Sequence, residues 1–148
     1  MEKRLEKIEG LPYAEEIRTF VEEAIKVLSP KLIILFGSMA RKEAGLGSDA
    51  DLLVISTRLP QGFNERLDKL ATLNKTFAPL QIMGYTPEEF ENLLEKGRAI
   101  ALTSLTEGKP LFLEKRYYQR VRNLLHKTIQ RWGIKKGEKA WIKEKMLK

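Results

Sequence analysis

The sequence predicts an α/β (α+β) domain followed by a C-terminal helical extension, and three observations carry that reading. Two short runs, Lys31 to Phe36 and Ala50 to Ser56, are almost wholly apolar, as strands buried on both faces are. Apolar residues recur at helical spacing before the first run and after the second, so helices alternate with strands. The chain has 148 residues and no internal repeat, which fits one core with an appended segment.

In chain order, residues 2–9 read as a helical piece. Pro12 suits a first helical position, and Glu15 and Glu16 favour the positive end of the helix dipole. Ile17, Phe20, Val21, Ala24, Ile25 and Leu28 then share one face until Ser29-Pro30 ends the helix. After the first strand, Gly37-Ser38 breaks the run, Met39 to Glu43 reads as a short helix, and Gly45 and Gly47 make a turn. Phe63 to Phe77 reads as an amphipathic helix through Phe63, Leu67, Leu70, Leu73 and Phe77, and Leu80 to Tyr85 as a third strand. Thr86-Pro87-Glu88-Glu89 is a helix start with a capping box, leading to Phe90, Leu93 and Leu94. Arg98 to Glu107 is another helix, and Pro110 to Leu113 a short strand. The stripe Tyr117, Val121, Leu124, Leu125, Ile129 and Trp132 predicts a long helix over Glu114 to Trp132. A lysine-rich break between Gly133 and Gly137 precedes a last short helix at Glu138 to Leu147.

Composition excludes several function classes. A hydrophobic fraction of 43% with 32% charged residues is that of a globular chain rather than a disordered one. No apolar run approaches the ~18–20 residues of a membrane span, and Met1 to Arg4 lacks the apolar core of a signal peptide. The expectation is a cytoplasmic protein with no membrane partner. With no cysteine, disulfides, thiolate metal sites and cysteine catalysis are ruled out. The net charge of +7 is uneven: Glu114 to Lys148 holds twelve Lys or Arg against three Glu, the preceding residues fifteen against seventeen. The boundary therefore falls between residues 1–113 and a basic extension, 114–148. That extension suits nucleic acid or an acidic partner, and equally a solvated helix face. Tyr117, Tyr118, Trp132 and Trp141 interleave with its cations, as in nucleic-acid binders, although most lie at helical spacing and suit a core or partner face. His126, the single histidine, reads as a surface or interface residue.

Two features carry chemistry. A buried strand ending at Gly37-Ser38 and turning into a helix leaves free backbone N–H groups. Gly37 would admit a phosphate closely, and the Ser38 hydroxyl adds a donor. Such turns are common, and an ordinary connection is the alternative. Asp49 and Asp51 stand two apart at the start of the second strand, so both carboxylates point to one face. They repel each other unless a cation lies between them, and hard oxygen ligands suit Mg²⁺. The alternative is a solvent-facing loop with an accidental second aspartate, although Asp51 directly precedes Leu52-Leu53-Val54-Ile55, where burial without a partner is costly.

Together, Gly-Ser, ten intervening residues and Asp-x-Asp resemble the signature of the polymerase-beta-like nucleotidyltransferase superfamily. The likeness is greatest to its minimal (MNT-type) branch, the partners of HEPN-domain proteins. It includes Ala40-Arg41 and Ser48 before the first aspartate, and runs over roughly residues 15 to 110. The resemblance implies a nucleotidyltransferase fold, a small mixed sheet flanked by helices. It implies a nucleoside triphosphate, ATP foremost, held by Gly37 and Ser38, with Arg41 on the triphosphate or in an ion pair. Mg²⁺ on the catalytic pair Asp49 and Asp51 would assist attack by a hydroxyl acceptor, with pyrophosphate leaving. Within the minimal branch it implies an antitoxin that modifies a HEPN toxin.

The sequence departs from that pattern in two places. Active members supply a third carboxylate from the next strand, and that position falls on Gln81, an amide that cannot act as a general base. Glu88 and Glu89 are the nearest substitutes, but the helix start points them away, and capping accounts for Glu89. Lys42 replaces the glycine that commonly follows the arginine. Two classes therefore stand: an enzyme transferring a nucleotide, and a catalytically degenerate module that binds nucleotide, RNA or a partner.

Overall fold

A computed structural model of the chain describes residues 8–37, 39–40, 49–137 and 140–144. Its elements are α1 (Ala14–Leu28), β1 (Leu32–Phe36), β2 (Ala50–Ile55), α2 (Phe63–Thr72), β3 (Leu80–Tyr85), α3 (Pro87–Glu95), α4 (Ala99–Glu107), β4 (Lys109–Leu113), α5 (Lys115–Trp132), β5 (Ile134–Lys136) and β6 (Trp141–Lys143). The main sheet has the order β3-β2-β1-β4. β1 is antiparallel to β2 and β4, and β2 runs parallel to β3, so the sheet is mixed as expected.

The two apolar runs form the middle of this sheet, and the period of two divides their side chains between two cores. Ile33, Leu35, Leu52 and Val54 face Ile17, Phe20, Val21, Ala24 and Leu28 of α1, with Leu70 of α2. Leu32, Ile34, Phe36, Leu53 and Ile55 face Phe90 and Leu94 of α3, Ala101, Leu102 and Leu105 of α4, and Tyr117, Val121 and Leu125 of α5. Burial on both faces explains why neither strand alternates polar with apolar. The basic helix α5 is thus docked on the second core by its apolar stripe. Among the described residues no helix is long and apolar enough to cross a membrane.

Several expectations need correction. The helix expected to reach Phe77 ends at Thr72, because Asn74 caps a loop instead. Its Oδ1 accepts from Thr76 N at 3.1 Å and Thr76 Oγ1 at 2.7 Å, and its Nδ2 donates to the Ala78 carbonyl at 3.1 Å. Phe77 at that loop tip is fully exposed, and Phe63 and Leu67 also face solvent. Within the helix expected at Glu138 to Leu147, the described residues 140–144 hold β6 instead, which pairs antiparallel with β5, and residues 138–139 and 145–147 lie outside the described residues. Gly133, left-handed at φ 60°, stops α5, and the Trp-Ile-Lys triplet is better suited to a pleated, half-buried surface than to a helix. α1 starts two residues after Pro12, since Tyr13 adopts φ 62°. Met39 and Ala40 lie in a turn, while residues 41–48, with the remainder of that expected helix and the Gly45-Gly47 turn, fall outside the described residues, as do residues 1–7.

Candidate functional site

The end of β1 and the starts of β2 and β3 meet at one edge of the sheet, and the conspicuous polar residues gather there. Phe36 is the register partner of Asp51, and Asp51 in turn that of Gln81 across the parallel pair. Asp51, Leu53 and Ile55 alternate onto one face, so Asp51 stands at the rim of the second core. Asp49 precedes β2, beside the junction where Ala50 N donates to the Pro79 carbonyl at 3.0 Å.

Gly37 closes the site from the other side. It is left-handed, φ +76°, and a Cβ built on it would collide with the Asp51 carboxylate. A residue with a side chain would fail there twice, on backbone strain and on contact. The turn after β1 and the carboxylate of β2 are therefore in direct contact, which the sequence spacing alone did not reveal. A glycine at the close of a buried strand is the signal that points to it.

Among the described residues the two aspartates form a pair without a compensating cation, since no Lys or Arg forms an ion pair with either. Burial, and then the neighbouring Asp49 charge, hold the Asp51 carboxyl above the usual carboxylate range. Gln81 is placed where the third carboxylate was sought, and its Nε2 donates to Asp49 Oδ2 at 2.9 Å. Among the described residues no third acidic or histidine ligand joins the pair. Two carboxylates, one of them raised by burial and by the other's charge, are hard oxygen donors of the kind that fit Mg²⁺ completed by phosphate and water, while the Gln81 contact with the pair is through its amide nitrogen.

Of the other expected site residues, Ser38, Arg41 and Ser48 lie outside the described residues. Glu89 does not serve the site. It accepts from Thr86 N at 2.9 Å in a complete capping box and from Arg66 Nη1 at 2.7 Å. That pair ties α3 to α2, and the Arg66 bond draws the Glu89 carboxyl below its ordinary range. His126 is exposed on α5.

No curated protein matches the chain. Solved structures to which it is similar include a toxin–antitoxin with AMP-PNP, at 20% identity and a TM-score of 0.48 over 78% of this chain and 83% of that one. A second is the MntA–HepT toxin–antitoxin, at 18% identity and a TM-score of 0.45 over 78% and 83%. A third is a tri-AMPylated Shewanella oneidensis HEPN toxin in complex with an MNT antitoxin, at 21% identity and a TM-score of 0.42 over 78% and 80%. A family model, the nucleotidyltransferase domain, matches residues 14–104, more than half of the chain and a span that holds Gly37, Asp49, Asp51 and Gln81. The chain belongs to the nucleotidyltransferase domain family.

Proposed function

We propose that this protein binds a nucleoside triphosphate, ATP foremost, with Mg²⁺ and transfers its nucleotidyl group to a hydroxyl of a HEPN-domain partner, as the antitoxin of a HEPN/MNT pair in the cytoplasm. One observation carries the nucleotide reading: the Gly37 turn packs directly on the Asp51 carboxylate, so a phosphate held at the turn lies beside the carboxylate pair. In this reading Gly37 and Ser38 hold the phosphates, with Arg41 and Ser48 at the rim, and Asp49 and Asp51 hold the cation. A Mg²⁺ ion held there would supply neutralisation of the charge that develops on the phosphates. The chain's own part is orientation: carboxylates and turn converge on one edge of a rigid sheet. The HEPN partner is inferred from the motif resemblance.

A second reading, nucleotide binding without turnover, is favoured by Gln81, whose amide donates to Asp49 and cannot accept a proton from the attacking hydroxyl. Both readings are tested by incubating the protein with α-³²P-ATP, Mg²⁺ or Mn²⁺ and a small helical protein that carries an Arg-x₄–₆-His motif, sought among the products of neighbouring genes. Label on the partner, lost in Asp49→Asn and Asp51→Asn, supports transfer. Saturable ATP binding with no label under either metal supports the degenerate module. Absence of ATP binding by the folded protein, with and without the partner, overturns both.

A further inference from the structure

The C-terminal hairpin builds a second polar feature, apart from the carboxylate pair. It is clamped to the helices: Trp141 Nε1 donates to Thr103 Oγ1 at 2.9 Å, and Lys143 Nζ to the Lys96 carbonyl at 2.6 Å. Lys136 pairs with Glu107 at 2.9 Å. Between the hairpin and the start of α4 lies a cleft of about 370 Å³, lined by Arg98, Lys136, Lys143, Thr103 and Trp141 among others. Gly97 allows the close approach, since a Cβ there would stand 2.9 Å from Lys143 Cε.

Three cations line this cleft, and no Asp or Glu among the described residues does. Lys136 stands 4.8 Å from the Trp141 ring centre, Lys143 5.0 Å from that of Trp132, and Arg131 5.5 Å from the same ring. Arg98 is exposed and has no acid partner among the described residues. Cations gathered around half-buried tryptophans, with one arginine uncommitted, match a ligand that is anionic along one side and flat and apolar on the other. That is the chemistry of a nucleotide unit, and the volume is at the small end of ligand pockets. A duplex presents its phosphates outward and keeps its bases stacked inside, so an unpaired strand fits this wall and a duplex does not. Arg131, exposed at the end of α5 beside Trp132, would hold the phosphate of a neighbouring unit.

We propose that the cleft between the hairpin and α4 binds single-stranded nucleic acid, with Arg98, Lys136 and Lys143 on the phosphates and Trp141 as the wall for a base. The proposal is independent of nucleotidyl transfer. Trp132 and Trp141 are the only tryptophans in the chain, so intrinsic emission reports on this region alone. The test titrates fluorescein-labelled twelve-nucleotide oligo(U) and oligo(dT) into the full chain, following anisotropy and tryptophan emission across a salt series. The expected result is saturable binding of one or both strands, with the two signals sharing a midpoint. Arg98→Gln and Lys143→Gln should each weaken binding about five- to tenfold and reduce the salt slope by about one. Arg116→Gln, in the first turn of α5 away from the hairpin, should change it less than about twofold. Thermal melts confirm that each variant is folded; Arg98, being exposed, keeps one arm clear of the hairpin's own stability. The proposal is overturned if neither strand shifts the tryptophan emission, or if Arg116→Gln weakens binding as much as Arg98→Gln. It is also overturned if tripolyphosphate competes as well as the strands at equal phosphate concentration, which would mark an unspecific anion patch.

Discussion

Replacing Gly37 by alanine asks the chain to do two costly things at once, and a second glycine separates them. Gly37 and Gly10 are both left-handed, at φ +76° and φ +87°, but a Cβ at Gly10 meets nothing within 4 Å, whereas at Gly37 it strikes the Asp51 carboxylate. Gly10→Ala should therefore carry only the backbone cost, about 1–2 kcal/mol. Gly37→Ala carries the same cost plus overpacking of about 1–3 kcal/mol, because the carboxylate must shift off a strand whose next four residues are buried. For a chain of this size each kcal/mol lowers Tm by roughly 3–4 °C, so the two variants should differ by about 3–12 °C. Circular dichroism melts of both alanine variants, each made alone and with Asp51→Ala, complete the cycle. With Asp51 truncated, Gly37→Ala should fall to the cost of Gly10→Ala. Equal costs of Gly37→Ala in the Asp51→Ala background and in the native one would refute the contact between turn and carboxylate.

Three further outcomes follow from the structure. Tyr117 Oη is buried and finds no hydrogen-bond partner among the described residues, and burial pushes its ionisation well above the ordinary range. Tyr117→Phe should therefore be neutral or stabilising by up to about 1 kcal/mol in urea denaturation, and a loss above that would mean the hydroxyl is satisfied in solution. Glu89 has a folded pKa below its unfolded value, so its contribution is present above about pH 4.5 and is lost as pH falls through the folded pKa. Glu89 is 45% exposed, so solvent screening discounts the pair, and Glu89→Gln should cost about 0.5–1 kcal/mol at pH 7 and less at pH 3, read from melts at both pH values. Gln81→Asp removes the bond to Asp49 and adds a third negative charge. Without divalent ions its Tm should fall by several degrees, while millimolar Mg²⁺ should raise it more than it raises the native protein; an equal Mg²⁺ response in both would show that position 81 does not face the ion.

Legibility in the sequence followed how local each cause is. The capping box at Thr86 was visible because all its atoms lie within four residues, and the central strands because burial on both faces erases alternation. Gln81 lies beside the pair because a parallel register carries one strand's start beside the other's. The hairpin at the C-terminus was missed because Trp141 to Lys143 takes its strand form from pairing with Ile134 to Lys136 and from α4, neither of which spacing displays. Phe77 was assigned to a buried helical face because periodicity counts an apolar residue wherever it falls. Asn74, hydrogen-bonding Thr76 and Ala78, had already ended the helix.

The same edge of the sheet shows why an amide at position 81 has consequences beyond a missing base. Asp51 is held by a strand that continues straight into the core, and its carboxyl is already raised by burial and by Asp49. A carboxylate at position 81 would put three like charges at one rim with no cation from the described residues to balance them. Gln81 instead donates to Asp49, so the pair remains in place without an ion. The cost falls on whatever the site binds: an amide oxygen holds a divalent ion less strongly than a carboxylate and offers no proton acceptor. The rim is therefore better suited to keeping its shape between encounters than to gripping metal in advance. On the proposed reading, binding of ion and triphosphate should then be mutually dependent, each supplying charge that the other lacks.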